Sequence, residues 1–340
     1  MADNKKILVT GGAGYIGSHT AVNLINDGKD IIVFDNLENG HIETIEALKK
    51  IGSVEFIKGD LRNFEDIENV FKNHKIDAVV HFAAFALVGE SVENPSKYYR
   101  NNVFGTLNLL DAMIKYGCKK IVFSSTCATY GNPNYVPVDE KHPQNPVSPY
   151  GTSKLMVEQI MKDFDTAYGL KSIKLRYFNV AGCDNQARVG EWHEPETHLV
   201  PNILKSTFSG GKTFKIFGDD YNTPDGTCIR DYVNVEDLAE AHRLALIYLE
   251  QENKSDVFNV GTENGNSVKD IFDSCEKVIG KKINVEVVGR RAGDAEALYA
   301  NSKKAQAILG WKPSRTIEDS ISSAYKWEEV LQEKLNGVHV

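Results

Sequence analysis

Tyr150 and Lys154 stand four residues apart in Tyr150-Gly-Thr-Ser-Lys154, at the start of a segment with helical spacing, so both side chains fall on one helix face. A phenol with an ordinary pKa near ~10 is a poor base at neutral pH, and lowering it by ~3 units takes about 4 kcal/mol. One positive charge at ~5 Å in an effective dielectric of ~20 supplies roughly 3 kcal/mol. Lys154 and one further cation would therefore suffice to make Tyr150 a base for a substrate hydroxyl. Upstream, Ser124-Ser-Thr-Cys-Ala-Thr-Tyr-Gly131 closes a β-branched run, and Thr126 is the hydroxyl expected to be shared by Tyr150 and the substrate oxygen. Each motif alone has a plainer reading, a surface helix that carries Tyr and Lys or a turn-forming Ser/Thr cluster.

The second cation is suggested by Gly11-Gly-Ala-Gly-Tyr-Ile-Gly17, which follows the first apolar run and opens a helix. Gly11, Gly14 and Gly17 would let the backbone approach a pyrophosphate, whose charge meets free N–H groups at the helix start. A helix-packing turn would use the same glycines. Asp35 lies 18 residues beyond Gly17 at the end of the second apolar run. That spacing suits a carboxylate accepting from the adenosine ribose hydroxyls and repelling a 2′-phosphate, which favours NAD over NADP. A Walker loop would need Lys-Ser/Thr where the chain has Ser18-His19. An oxidised nicotinamide ring would then supply the missing positive charge and take a hydride while Tyr150 takes the proton.

The elements that must position these residues alternate regularly. Apolar runs at 7–10, 31–34, 54–57, 78–82, 121–123 and 173–178 are separated by helical candidates near 15–28, 43–51, 64–74, 97–116 and 150–168. Continuous apolar runs are those of strands buried on both faces, so the pattern predicts an α/β fold with a doubly wound parallel (Rossmann) sheet over residues 1–180. Residues 181–340 are expected to form a smaller α/β substrate-binding cap. A strand and helix near 229–249 and a strand near 256–260 could rejoin the first sheet.

The chain has 340 residues, 39 Lys plus Arg against 47 Asp plus Glu, a net charge of −8, and 41% hydrophobic residues. It is too apolar to be disordered, and it lacks the basic block that nucleic acid or an anionic membrane would require. Five cysteines without a CxxC pair fit reduced thiols, and no h-region follows Met1, so a cytoplasmic protein is expected. The longest mostly apolar stretch, 78–89, is interrupted by His81 and too short to span a bilayer. His193-Glu-Pro-Glu-Thr-His198 places Thr197 where an HExxH site needs histidine, and Pro195 breaks the helix, so a polar loop and no metal are expected. His19 and His81 read as core or turn residues.

Together, Thr10 through His19, His81-Phe-Ala, Val88-Gly-Glu-Ser91, Asn101-Asn102, Tyr150 to Lys154, Arg176-Tyr-Phe-Asn179, Asp225-Gly-Thr and Ile229-Arg-Asp-Tyr232 resemble the UDP-glucose 4-epimerase family of extended short-chain dehydrogenase/reductases. The similarity runs from Ile7 to about Trp311. It implies tightly held NAD that takes the hydride from C4 of a UDP-hexose and returns it to the other face after the 4-keto sugar rotates, interconverting UDP-glucose and UDP-galactose. Tyr150 would be the base, Lys154 its electrostatic partner and ribose ligand, and Thr126 would take the place usually held by Ser. Cofactor contacts would fall on Tyr15, Ile16, Asp35, Asn36, Asn39, Asp60, Leu61, Phe82, Ala83, Ala84, Asn101 and Phe178, besides the glycine turn. UDP-sugar contacts would fall on Asn179, Leu199, Phe217, Arg230, Arg291 and Asp294, the arginines suiting a diphosphate. The resemblance also implies a homodimer paired through the helices at 97–116 and 150–168, whose apolar stripes could equally pack on the sheet.

The chain departs from that pattern in places. Ala86 stands where many members carry Lys, and Thr197-His198 replaces Asn-Asn before Leu199, so His198 would substitute in sugar or phosphate contact. Leu298 occupies the position that limits bulk at the sugar C2, leaving UDP-GlcNAc and UDP-glucuronate open as alternative substrates. A nucleotide-sugar dehydratase is disfavoured because Cys127-Ala128 follows Thr126 where related dehydratases place an acidic pair. A noncatalytic NAD-sensing protein would have no reason to keep Tyr150, Lys154 and Thr126 together.

Overall fold

The computed structural model describes residues 5–208, 213–291 and 293–335. Residues 1–4, which begin the stretch read for a leader, lie outside them. The first half runs β1 (Lys6–Thr10), α1 (Tyr15–Asn26), β2 (Ile31–Asp35), α2 (Ile42–Ile51), β3 (Val54–Lys58), α3 (Phe64–Asn73), β4 (Ile76–His81), α4 (Val88–Glu93), α5 (Pro95–Tyr98), α6 (Gly105–Lys115), β5 (Lys120–Thr126), α7 (Pro149–Tyr168) and β6 (Lys171–Tyr177). The second half runs β7 (Asn179–Ala181), α8 (Leu199–Phe208), β8 (Phe214–Phe217), β9 (Ile229–Arg230), β10 (Tyr232–Asn234), α9 (Val235–Glu252), β11 (Asp256–Val260), β12 (Asn266–Ser267), α10 (Val268–Ile279), β13 (Val285–Val288), β14 (Ala297–Leu298), α11 (Lys303–Leu309) and α12 (Ile317–Leu335).

Among the described residues, the main sheet has seven strands in the order β11-β6-β5-β4-β1-β2-β3. Every neighbouring pair is parallel. The unbroken apolar runs are explained by the two-residue period of a strand, which sends alternate side chains into two separate cores. Ile7, Val9, Ile31, Val33, Val80 and Val122 join one core with residues of α1, α2 and α9. Leu8, Ile32, Phe34, Val79, Ile121 and Phe123 join the other with residues of α3, α6 and α7. From β1 the chain steps outward to β2 and β3, then crosses back to β4 on the other side. The carboxyl ends of β1 and β4 therefore open the crevice in which such sheets bind ligands.

The smaller sheets, β7 with β10, β9 between β12 and β14, and β8 with β13, belong to the second half. Their core draws on α8, α10 and α12. The chain crosses residue 180 more than once in space. β11 pairs with β6 at the edge of the main sheet and α9 packs into the same core as α1, while β9 and β10 stay in the small sheets.

The segment read as one helix over 97–116 is interrupted by a π-helical turn, Tyr99–Phe104, between α5 and α6. The turn holds Asn102, buried in the fold, where its side-chain carbonyl accepts from Phe85 N at 2.9 Å and its amide donates to Phe85 O at 3.0 Å and Ser153 Oγ at 3.1 Å. A wider turn of this kind re-aims side chains and is frequent near functional sites. Among the described residues no helix is long and apolar enough to cross a membrane.

Candidate active site

The crevice is walled on one side by the glycine turn after β1. Gly11 has φ +73°, and a Cβ there would stand 2.5 Å from Ala83 N on the loop after β4. A Cβ on Gly17 would stand 2.3 Å from Gly11 O. Gly14 caps α1, whose first turn begins with Tyr15 and Ile16 and leaves amides without partners inside the helix. The loop after β4 is fastened to the turn by Phe82 N and Ala83 N, which both donate to Thr10 O at 2.9 and 3.1 Å. Ala84 follows, half-buried. Gly11→Ala combines left-handed backbone strain with this clash, so it should cost on the order of 1–3 kcal/mol and lower the melting temperature of the cofactor-free chain. An unchanged melting curve would mean that the two loops part freely.

Asp35, buried at the end of β2, accepts from Ala13 N at 3.0 Å and Leu37 N at 2.9 Å. Burial pushes its carboxyl up and these amides oppose that push. A carboxylate has about four acceptor positions, so two amides leave it able to receive ribose hydroxyls. Asn36 donates to Asp60 at 3.0 Å. Burial works to raise the Asp60 carboxyl, but hydrogen bonds from Arg62 and Asn36 hold it at about 2. Asn39 is exposed near this turn, Leu61 is buried, and Asn101 donates to Asn102 at 3.0 Å in the π turn.

At the other end lies the chemistry. Ser148 caps α7 by accepting from Gly151 N at 3.2 Å, and Pro149 occupies the first turn, which sets Tyr150 and Lys154 on the inward face. Lys154 is buried, donates to Ser124 O at 2.8 Å and lies 4.8 Å from the centre of the Phe123 ring. Burial pulls the Lys154 ammonium down to about 7, against the Glu158 carboxylate, which favours the charge. Burial likewise pushes Tyr150 up to about 12, opposed by the Thr126 hydroxyl and aided by the Cys127 thiol. The sequence arithmetic counted Lys154 as a full charge and omitted the cost of desolvating both groups. In the protein alone Tyr150 is therefore not acidified.

Two features here are absent from the sequence reading. Tyr177 is buried, shares a hydrogen bond with the Ser124 hydroxyl, and is pushed up by burial and by the neighbouring Tyr150. Behind Lys154 lies a buried network. Arg176 Nε donates to Glu158 Oε1 at 2.9 Å and Nη2 to Oε2 at 2.5 Å, while Nη1 donates to the Tyr130 hydroxyl at 2.9 Å. Ser125 donates to Glu158 at 2.5 Å, and Tyr130 passes its proton donor on to Asn259 of β11 at 2.7 Å. A Glu four residues after Lys154 and an Arg in an apolar strand were the available signs.

The sugar side is gathered from the small sheets. Arg230 stands 3.5 Å and Arg291 3.3 Å from Asp294, and the Arg291 guanidinium lies 5.0 Å from the centre of the exposed Phe217 ring. Leu298 pairs with Arg230 across β14 and β9, and packs with Phe178 and Cys127 in one apolar cluster. Asn179 is exposed at the start of β7, with its backbone N–H donating to Asp231 O at 3.0 Å.

His198, read as a sugar or phosphate contact, is the last residue of the loop before α8. Its Nδ1 lies 2.8 Å from Glu191 and 3.0 Å from Glu196, so two local carboxylates, absent from the pattern considered, turn that nitrogen into its own loop. Leu199 follows as the first residue of α8 and packs on the cap core. His19 and His81 are satisfied core residues. His19 lies 2.7 Å from Tyr15 O and accepts from Asp184 N at 2.9 Å, and His81 lies 2.6 Å from the Thr10 hydroxyl and 2.8 Å from that of Thr106.

Residues 8–324 match the family model described as GDP-mannose 4,6 dehydratase. The UDP-glucose 4-epimerase of Lactobacillus helveticus is 50% identical over 325 residues, covering 95% of this chain and 97% of that protein. The UDP-glucose 4-epimerase of Stenotrophomonas maltophila, solved with bound NAD and formylated UDP-arabinopyranose, superposes with a TM-score of 0.94 at 37% identity over 97% of this chain and 99% of its own. That of Bifidobacterium longum, solved with NAD+ and UDP, gives 0.91 at 39% identity over 98% and 99%.

Proposed function

The chain belongs to the UDP-glucose 4-epimerase family of extended short-chain dehydrogenase/reductases, and from that membership we propose that it binds NAD and interconverts UDP-glucose and UDP-galactose by inverting C4. The observation that carries the reading is the grouping of Tyr150, Thr126 and Lys154 with a glycine turn that has no room for a single added methyl group. NAD, when bound, supplies the acceptor and later the donor of the C4 hydride. The residues present suit it. Gly11, Gly14 and Gly17 with the first turn of α1 would hold the pyrophosphate, and the free acceptor positions of Asp35 would hold the adenosine ribose. Tyr15, Ile16, Asn36, Asn39, Asp60, Leu61, Phe82, Ala83, Ala84, Asn101 and Phe178 would complete the cofactor's surroundings, with Lys154 on the nicotinamide ribose.

The chain's own part is proton handling and orientation. Tyr150 removes the proton from the C4 hydroxyl and returns it to the new one, and Thr126 donates to the same oxygen, keeping it in line with the phenol. Arg230 and Arg291 hold the diphosphate through charge-assisted bonds while the sugar turns over, with Asp294 keeping both guanidinium groups in place. Asn179, Leu199 and Phe217 line the UDP side, and Leu298 sets the room at C2. Cys127 and Ala128 after Thr126 offer no carboxylate for an elimination, which favours epimerisation over dehydration. We also read the chain as a homodimer, with Phe104 and Met156 exposed on the π turn and α7 in support.

Incubating the purified chain with UDP-glucose and no added nicotinamide tests the assignment. UDP-galactose should appear at equilibrium proportions, whereas loss of water from the sugar or no reaction would overturn it. Arg230→Ala should raise KM about 10- to 100-fold with a smaller change in kcat, the effect of one lost hydrogen bond to a charged group. An unchanged KM would place the diphosphate elsewhere.

A further inference from the structure

The loop between β7 and α8, residues 182–198, collects four side chains that take no part in the chemistry above. One ligand atom from each of Glu191, His193, Glu196 and His198 lies within 4.8 Å of all the others. Glu191 Oε1 stands 2.8 Å from His198 Nδ1 and 3.3 Å from His193 Nδ1, and Glu196 Oε2 stands 3.8 Å from His193 Nδ1. Ligands held at about 2.0–2.1 Å by a tetrahedral ion are roughly 3.3 Å from one another, so these are the separations of groups facing a common centre.

A second observation concerns alignment. Glu191 Oε1, Glu196 Oε2 and His193 Nδ1 are buried and make no hydrogen bond of good geometry, although Glu191 Oε1 lies 2.8 Å from His198 Nδ1. The Glu191 residue is only 6% exposed. Orphaned lone pairs of this kind cost free energy unless something positive sits among them. Glu196 is held for the purpose, because its other oxygen accepts from Thr197 N at 2.8 Å and His198 N at 2.9 Å and so turns Oε2 inward. The surroundings add negative charge. Buried Glu328 of α12 faces Glu191 and Glu196, and the cation nearby is Lys205, 3.8 Å from Glu196 Oε2.

We propose that Glu191, His193, Glu196 and His198 form a structural site for a divalent transition-metal ion of the zinc class. Two imidazoles and two carboxylates are borderline donors that suit zinc better than calcium or magnesium, which take oxygen alone. The absence of a helix, which disfavoured a metal on sequence grounds, is no obstacle, since the loop itself folds the four donors together. The ion would fasten the loop to its neighbours. Trp327 of α12 donates to Glu191 O at 2.8 Å, the His193 ring packs edge-on against Tyr15 at 6.2 Å, and His198 immediately precedes α8.

The test uses the full chain with any affinity tag removed, stripped with a chelator, reloaded with zinc and dialysed against metal-free buffer. Elemental analysis should find one zinc per chain. At a hundredfold excess over Kd, zinc should raise the melting temperature on the order of 5 °C. Cobalt(II) should give the intense visible absorption of four-coordinate geometry, bleached by added zinc, a readout that needs no variant. The double substitution His193→Ala with His198→Ala should abolish both. A stripped chain that takes up no zinc, or a double variant that binds as much as the parent, would overturn the proposal. The first outcome would leave the cluster as an ion-paired loop closure.

Discussion

Tyr150→Phe is expected to lower turnover about 10²- to 10⁴-fold while NAD remains bound, because it removes the proton acceptor and leaves the glycine turn and Asp35 untouched. No neighbour can take its place. The Thr126 hydroxyl is far too weak a base, Lys154 is directed at Ser124 O, and the Tyr177 hydroxyl is committed to Ser124 and pushed up by burial. In the protein alone Tyr150 is pushed up to about 12 by burial, so the phenol is held in its neutral form near pH 7. On the proposed mechanism, the positive charge of bound NAD would supply the remainder. Steady-state assays with UDP-glucose, together with the absorbance of retained dinucleotide, check both halves. A variant keeping more than about a tenth of the parent turnover would move the base to another residue.

The second large effect is on stability. Arg176→Met should destabilise the fold by about 3–5 kcal/mol, because it leaves the Glu158 carboxylate buried without a partner. Glu158 would retain the hydroxyl of Ser125 and a contact from Gln144 at 3.3 Å, which satisfy part of its acceptor capacity but not its charge. The double substitution Glu158→Leu with Arg176→Met should recover much of the loss, since it removes the orphaned charge with its partner. Thermal or denaturant unfolding of the two single variants and the double variant measures this directly. A single Arg176→Met variant as stable as the parent would show that water or another cation reaches Glu158. Glu158 also favours the charge on Lys154, so its loss should weaken that cation independently of stability.

What could be read from the sequence was what is encoded locally. A strand buried on both faces is largely apolar, and a turn that touches a neighbouring loop must be glycine, so β1, β2, β4, most of β5 and the Gly11–Gly17 turn are written in single short segments. Tyr150 and Lys154 were legible because helical spacing fixes their common face. The Glu158–Arg176–Tyr130–Asn259 network was not, because its members come from α7, β6, the loop after β5 and β11. The π turn at Tyr99–Phe104 carries no distinctive residue types, and it is secured instead by Asn102 reaching Phe85 and Ser153. The surroundings of His198 were not legible either. Its nearest carboxylates lie two and seven residues away along the chain, and only the folded loop brings both to the same nitrogen.

The place of β11 bears on how the protein is made. β6 exposes its outer edge along Ile173–Tyr177 until Asp256–Val260 arrives to pair with it, and that strand is translated about 80 residues later. An N-terminal fragment ending at the apparent boundary would present an unpaired apolar strand, ready to recruit another chain. Its Arg176 would also lack Asn259 behind Tyr130. Ribosomal synthesis therefore passes through a stretch in which β1 to β6 are complete in sequence while the edge of β6 is still open, and the later arrival of β11 is what closes it.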